Sequence, residues 1–194
     1  MSFSDFITAL TPNLLSTIAL LFGVAGVWLT IAESIWCWPS ALVSVLASLL
    51  EFYTQRLYGD MTLQMFYFFA GLYGWVYWKK QRQQAFEVRH TPTGWWLGLV
   101  SVTLLQWLVY YFLLLYFNGD RPLLDGLLTA CSLTATYMMT KKWVENWLTW
   151  VFIDAAYIAL YSLKAMWPFA FLYLLFTIMA FAGWLKWKKT VSIK

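Results

Sequence analysis

The sequence predicts an all-α membrane protein: seven transmembrane helices in a 3+1+3 parallel-repeat bundle, one membrane domain spanning residues 1–194. Three observations lead there. The composition is 62% hydrophobic, 21% aromatic and 11% charged, with a mean hydropathy of +0.64, whereas soluble domains carry about 25% charged residues. Apolar runs long enough to cross a bilayer follow one another with short polar breaks. A closing motif recurs after 109 residues, at Gly74 and again at Gly183.

The runs are taken in chain order. The first is Leu14–Ala32. The second, Pro39–Gln55, opens on a proline, which suits a first helical turn. Arg56–Asp60 reads as a turn and Met61–Trp78 as the third span. A polar stretch from Lys79 to Gly94 comes next. Trp95–Phe117 is apolar nearly all round. Asn118–Pro122 reads as a turn whose proline starts the next helix. Leu123–Thr140, Asn146–Ala165 and Trp167–Leu185 complete the set. A helix takes about 20 apolar residues, so seven use roughly 140 and leave about 50 for loops and ends. No separate nucleotide-binding domain fits, and nucleic-acid binding is excluded.

Charge placement sets the expected orientation. With the Lys79–Gly94 loop inside, ten Lys and Arg residues are cytoplasmic and three are external: Arg56, Arg121 and Lys164. Cytoplasmic loops carry such an excess, so the N-terminus is expected outside and the C-terminus inside. The first ten residues hold no Lys or Arg and the first apolar run is long, which argues against a cleaved signal peptide. Cys37 and Cys131 sit in or beside apolar runs and read as packed thiols. One histidine, His90, cannot build a metal site. No metal, cofactor or catalytic residue is expected: there is no phosphate-binding loop, no paired acids and no serine with a base.

Gly74-Trp75-Val76-Tyr77-Trp78-Lys79-Lys80 closes the third span, and Gly183-Trp184-Leu185-Lys186-Trp187-Lys188-Lys189 closes the seventh. The same offset lays Trp38 on Trp147. It predicts a first three-helix repeat over residues 12–80, a connector helix over 95–117 and a second repeat over 121–189. Parallel repeats with a ligand site between them are a transporter architecture.

Ionisable groups inside a bilayer cost about 2.5–3.5 kcal/mol at a helix centre and mark functional candidates. Asp154 lies inside the sixth span and Glu51 inside the second. Trp147, Trp150, Asp154, Tyr157 and Tyr161 step by three or four and share a helix face. A carboxylate among aromatic rings is a site for a flat cation, because the rings present a negative π face. Ser44, Ser48, Glu51 and Gln55 share a face of the second helix. Asp125, Thr129, Ser132 and Thr136 share one on the fifth, and Gln64, Tyr67 and Gly71 one on the third. These stripes are expected to turn inward and line a polar path, although Ser and Thr can also bond their own helix backbone.

Trp38-Pro39, Leu57-Tyr58-Gly59-Asp60-Met61-Thr62-Leu63-Gln64, Gly71-Leu72-Tyr73-Gly74-Trp75 and Glu145-Asn146-Trp147-Leu148-Thr149-Trp150-Val151-Phe152-Ile153-Asp154 together resemble the Pnu vitamin transporters. The W-x-x-W-x-x-x-[ND] element, here Trp147, Trp150 and Asp154, is the most specific piece. The resemblance implies a bundle distantly like the SWEET sugar facilitators. It also implies facilitated diffusion of an unphosphorylated vitamin across a bacterial inner membrane, with trapping inside by a kinase. Members take nicotinamide riboside, thiamine or riboflavin. Carried over by position, Trp147, Trp150, Asp154 and Gln64 become substrate contacts, and Trp38, Glu51, Tyr67, Tyr157 and Tyr161 join them from the stripes and the repeat.

Within that family the two acids favour thiamine. Asp154 corresponds by repeat to Val45, six residues before Glu51, or about 9 Å along a helix. An elongated ligand with a cationic ring and a basic ring matches two acids at different heights. Nicotinamide riboside is the alternative in the same family, and a membrane sensor that binds without transport is the alternative in another class. The partners expected are the vitamin and the lipid bilayer, with no nucleic acid; assembly of several copies, a trimer included, stays open.

Overall fold

A computed structural model describes residues 3–54, 58–81, 86–117, 121–163 and 167–192. Among them are seven α-helices: α1 Phe3–Ile31, α2 Cys37–Thr54, α3 Tyr58–Gln81, α4 Trp96–Tyr116, α5 Pro122–Thr140, α6 Asn146–Leu163 and α7 Trp167–Ser192. A short 3-10 turn, Thr93–Trp95, leads into α4. Four segments are both long and apolar enough to cross a membrane: Leu14–Ile31, Cys37–Thr54, Thr93–Tyr116 and Phe169–Val191. The other three helices are as long but more polar.

The helices outrun the apolar runs at several ends. α1 begins well before Leu14, α7 continues through Lys186, Lys188 and Lys189, and Tyr58–Asp60 is helix rather than turn. Hydropathy registers only the apolar part of a helix, while backbone hydrogen bonds continue wherever propensity allows, and lysine is a good helix former. The predicted turn residues Asn118–Asp120, and Gln55, Arg56, Lys164 and Ala165, lie outside the described residues.

The chain forms two compact units, residues 1–86 and 87–194. In the first, α2 packs on both α1 and α3. The α1–α2 contact is made close by Gly23 and Gly26 on α1. Two members of the α2 stripe, Ser44 and Glu51, meet α1, and Ser40 does the same one turn earlier. Ser40 donates to the Phe22 carbonyl at 2.7 Å, Ser44 donates to the Ala19 carbonyl at 2.6 Å, and Ser16 of α1 donates to the Glu51 carboxylate. Hydroxyl bonds across helices are a usual adhesive where water is absent.

In the second unit, α5 packs on α4 and α6, and α6 packs on α7. α4 is tied to α5 by the Thr103–Thr134 hydroxyl pair at 2.7 Å and by the Trp107 indole donating to the Leu123 carbonyl at 3.0 Å. Ser132 and Thr136 of the α5 stripe return hydrogen bonds to the carbonyls four residues back, at 2.8 Å each. That satisfies them locally.

The turns from α1 to α2 and from α5 to α6 match bond for bond at the 109-residue offset. Ser34 N–H donates to the Leu29 carbonyl at 2.9 Å, and Trp143 N–H to the Met138 carbonyl at 3.0 Å. Glu33 N–H reaches Thr30 and Lys142 N–H reaches Met139, each at 2.9 Å. This is a Schellman stop, with a left-handed residue after the helix. Glu33 at φ 56° and Lys142 at φ 53° take the position that glycine favours.

The turn delivers a tryptophan into the first turn of the next helix in both units. Trp38 packs edge-on to Trp78, centroids 5.6 Å apart at 86°, and Trp147 packs edge-on to Trp187, 5.3 Å apart at 84°. Gly74 and Gly183 make room. A Cβ on Gly74 would lie 2.2 Å from the Trp38 ring, and one on Gly183 would lie 2.7 Å from the Trp147 ring.

Gly74→Ala and Gly183→Ala are therefore expected to destabilise by about 1–3 kcal/mol each through overpacking. Gly98→Ala on α4 meets nothing within 4 Å and should be neutral or mildly stabilising, since alanine is the better helix former. Thermal melts of the three variants in detergent check this; equal melts for all three would contradict the ring-on-glycine contact.

Candidate functional site

α6 presents five of the nine candidate residues along one side. Trp147 is buried against Gly183 and Trp187 of α7. Trp150 packs against the α5–α6 core of Leu128, Ala135 and Ile153. Asp154 lies one turn further on and is 5% exposed. Tyr157 then stacks on Tyr173 of α7 at 4.6 Å, and Tyr161 stacks on Tyr173 at 5.5 Å and on Phe169 at 5.2 Å. The carboxylate thus sits with indoles toward one end of the helix and a column of near-parallel phenyl and phenol rings toward the other. Among the described residues, no hydrogen bond or ion pair to the Asp154 carboxylate is present. A buried charge without a partner is costly, and a ligand bearing a positive ring would supply the missing counter-charge.

The other four candidates lie in the first unit. Trp38 is fully buried between Gly74 and Trp78 at the start of α2. Glu51 is near the far end of the same helix, half-buried, with Ser16 donating to it. Gln64 and Tyr67 are half-buried on α3. Trp38 and Glu51 are thirteen residues apart, or about 20 Å along the helix, so one small ligand cannot span both on α2. The indole N–H groups of the repeat mates Trp38 and Trp147 are both buried without a hydrogen-bond partner. An unmade bond of that kind costs about 1–3 kcal/mol.

Sequence reasoning missed Trp187, Tyr173, Phe169 and Glu145. The recurrence of Trp78 and Trp187 in the closing motif was the available signal for the first. Tyr173 and Phe169 carry no signal of their own, because their roles depend on facing α6. Glu145 anchors the loop before α4. Its carboxylate accepts from His90 Nδ1 at 2.6 Å, Thr91 N–H at 2.8 Å and Thr91 Oγ1 at 2.7 Å. Arg89 N–H also donates to the Lys142 carbonyl at 3.1 Å, and Val144 N–H to the Arg89 carbonyl at 3.0 Å. Burial pushes the Glu145 carboxyl up, but the bonds from His90 and Thr91 outweigh it and hold the group below the usual carboxylate range.

The model of the nicotinamide mononucleotide transporter family matches residues 13–189. The nicotinamide riboside transporter PnuC of Escherichia coli (strain K12) is 26% identical over 193 residues, covering 85% of this chain and 81% of the relative. The nicotinamide riboside transporter PnuC of Neisseria mucosa is 23% identical over 165 residues, covering 78% of this chain and 63% of the relative. The crystal structure of the vitamin B3 transporter PnuC superposes with a TM-score of 0.75 at 20% identity, covering 98% of this chain and 87% of that one.

The lowered Glu145 value has a pH consequence. A carboxylate depressed in the folded state contributes stability above its unfolded value, and loses it as pH falls through the folded value. The protection of the Thr91 amide against hydrogen exchange should therefore persist through the ordinary glutamate range near about 4.3 and fall only below it. Loss of protection above that range would contradict the ionised clamp.

Proposed function

We propose that this chain, which belongs to the nicotinamide mononucleotide transporter family, carries nicotinamide riboside across a bacterial inner membrane by facilitated diffusion, with phosphorylation inside trapping the product. The observation that carries the reading is Asp154, buried on α6 among aromatic rings and without a protein counter-charge among the described residues. The pyridinium of nicotinamide riboside is flat and permanently cationic, which suits that environment. Trp147, Trp150 and Asp154 hold the ring, and Tyr157 and Tyr161 line its approach.

The relatives favour nicotinamide riboside over thiamine. The thiamine preference drawn from the sequence rested on Glu51 as a second acid for the ligand. Ser16 of α1 donates to that carboxylate, so Glu51 has a local role in joining α1 to α2 that needs no ligand. The 3+1+3 arrangement over residues 12–80, 95–117 and 121–189 is supported by the matched Schellman turns and the matched Trp–Gly–Trp contacts. Two alike halves give the rocking elements that alternating access requires. The distribution of Lys and Arg supports an external N-terminus and a cytoplasmic C-terminus.

Purified protein in proteoliposomes is expected to take up radiolabelled nicotinamide riboside down its gradient, with excess thiamine competing poorly. Binding without uptake would return the sensor reading, and competition by thiamine at equal concentration would return the thiamine reading. Asp154→Asn should raise the half-saturation concentration about thirtyfold, as expected for loss of a desolvated cation contact of about 2 kcal/mol. An unchanged value in a folded variant would make Asp154 structural.

A further inference from the structure

The two Schellman turns are alike in backbone and unlike in what holds them. In the second unit the segment 87–91 lies across the turn. Arg89 pairs with it on both sides, through the Lys142 carbonyl and the Val144 N–H, and Val88 and Thr91 are buried. Glu145, the residue two before Trp147, accepts from His90 and twice from Thr91. Trp143 is seated between Trp95 and Tyr137, at 5.5 and 5.9 Å, and Asn146 Nδ2 donates to the Trp143 carbonyl at 2.6 Å. In the first unit the residue at the place of Glu145 is Trp36, a tryptophan 67% exposed, which can accept no such bonds. A carboxylate at this place is present in the unit that carries the W-x-x-W-x-x-x-D face and is replaced by an indole in the other.

We propose that Glu145 is a positioning residue: by gripping Thr91 and His90 it fixes the first turn of α6 and so sets where Trp147 and Trp150 stand against the substrate. The inference rests on the reading that these indoles hold nicotinamide riboside. The geometry gives the reason. Glu145 belongs to the turn that opens α6, and Trp147 lies in the first turn of that helix, where intrahelical hydrogen bonds are incomplete and position is set from outside. Trp147 also has little room to adjust, because its ring lies on Gly183 and its edge meets Trp187. A carboxylate taking three donors is a stiff tie, and hydrogen bonds to charged groups are about twice as strong as neutral ones.

Uptake of radiolabelled nicotinamide riboside into proteoliposomes tests this with four variants. Glu145→Ala should raise the half-saturation concentration about fivefold while leaving the maximal rate within about twofold, since a misplaced binding group weakens binding first. Glu145→Gln keeps an oxygen that accepts from the Thr91 N–H and should recover most of the loss. Glu145→Ala made on top of Trp147→Ala should add nothing, because a residue acting through another is not additive with it. If Glu145→Ala fails to fold, Thr91→Val combined with His90→Ala loosens the same grip from the other side and is expected to raise the half-saturation concentration likewise. An unchanged half-saturation concentration, loss of maximal rate alone, or full additivity with Trp147→Ala each overturns the proposal while wild-type uptake stands. Absence of wild-type uptake of nicotinamide riboside overturns the proposed function, and this inference with it.

Discussion

An indole ring laid on a glycine organises each half of the chain. Between helices in lipid there is no hydrophobic gain from association, so close packing and hydrogen bonds must hold them. Trp38 on Gly74 and Trp147 on Gly183 supply that closeness, and the second tryptophan of each closing motif, Trp78 or Trp187, meets the first edge-on. The left-handed residues Glu33 and Lys142 are part of the same device. They reverse the chain tightly enough for the tryptophan to enter the next helix within its first turn. A non-glycine residue there costs roughly 1–2 kcal/mol. Both turns bear that cost at one offset, and in both the ring-on-glycine contact lies directly beyond, where it can offset the strain.

The polar groups inside the helices divide by what faces them. Ser40 and Ser44 meet the carbonyls of Phe22 and Ala19, which α1 brings near through Gly23 and Gly26. Ser132 and Thr136 satisfy themselves on their own helix. Asp154 is buried on α6 with no hydrogen bond or ion pair among the described residues. Removing the first group loosens a helix pair, whereas removing Asp154 removes a charge that no protein group neutralises among the described residues. The two acids thus differ in surroundings, although both lie on a striped helix face.

That division also marks how far the sequence could be read. The number and order of the helices were legible, because apolar length and polar breaks record them directly. The pairing of Trp38 with Trp147, and of Gly74 with Gly183, was legible from a motif written twice. The destination of the α2 stripe was not: a serine and glutamate stripe has the same period whether it faces a neighbouring helix or an open path, and only the partner backbone decides. Glu145 was invisible for a related reason. Its partners His90 and Thr91 are 55 and 54 residues away, and nothing in the local pattern of a turn glutamate names them. Tyr173 and Phe169 were missed because an aromatic residue in a Trp- and Phe-rich chain stands out only once its stacking partner is known.

The two units thus share a turn and a ring contact and differ in chemistry. Trp38 and Trp147 occupy the same place with the same unpaired indole N–H. Yet where α6 carries Trp150, Asp154, Tyr157 and Tyr161, the same offset on α2 gives Ala41, Val45, Ser48 and Phe52. The clamp through Glu145 falls on the unit that carries Asp154. The first unit has Trp36 at the matching position, and an indole accepts no hydrogen bond there. A turn is held by backbone bonds that many sequences can make, whereas a helix face is set by its side chains, so the turns repeat faithfully at the 109-residue offset and the faces do not.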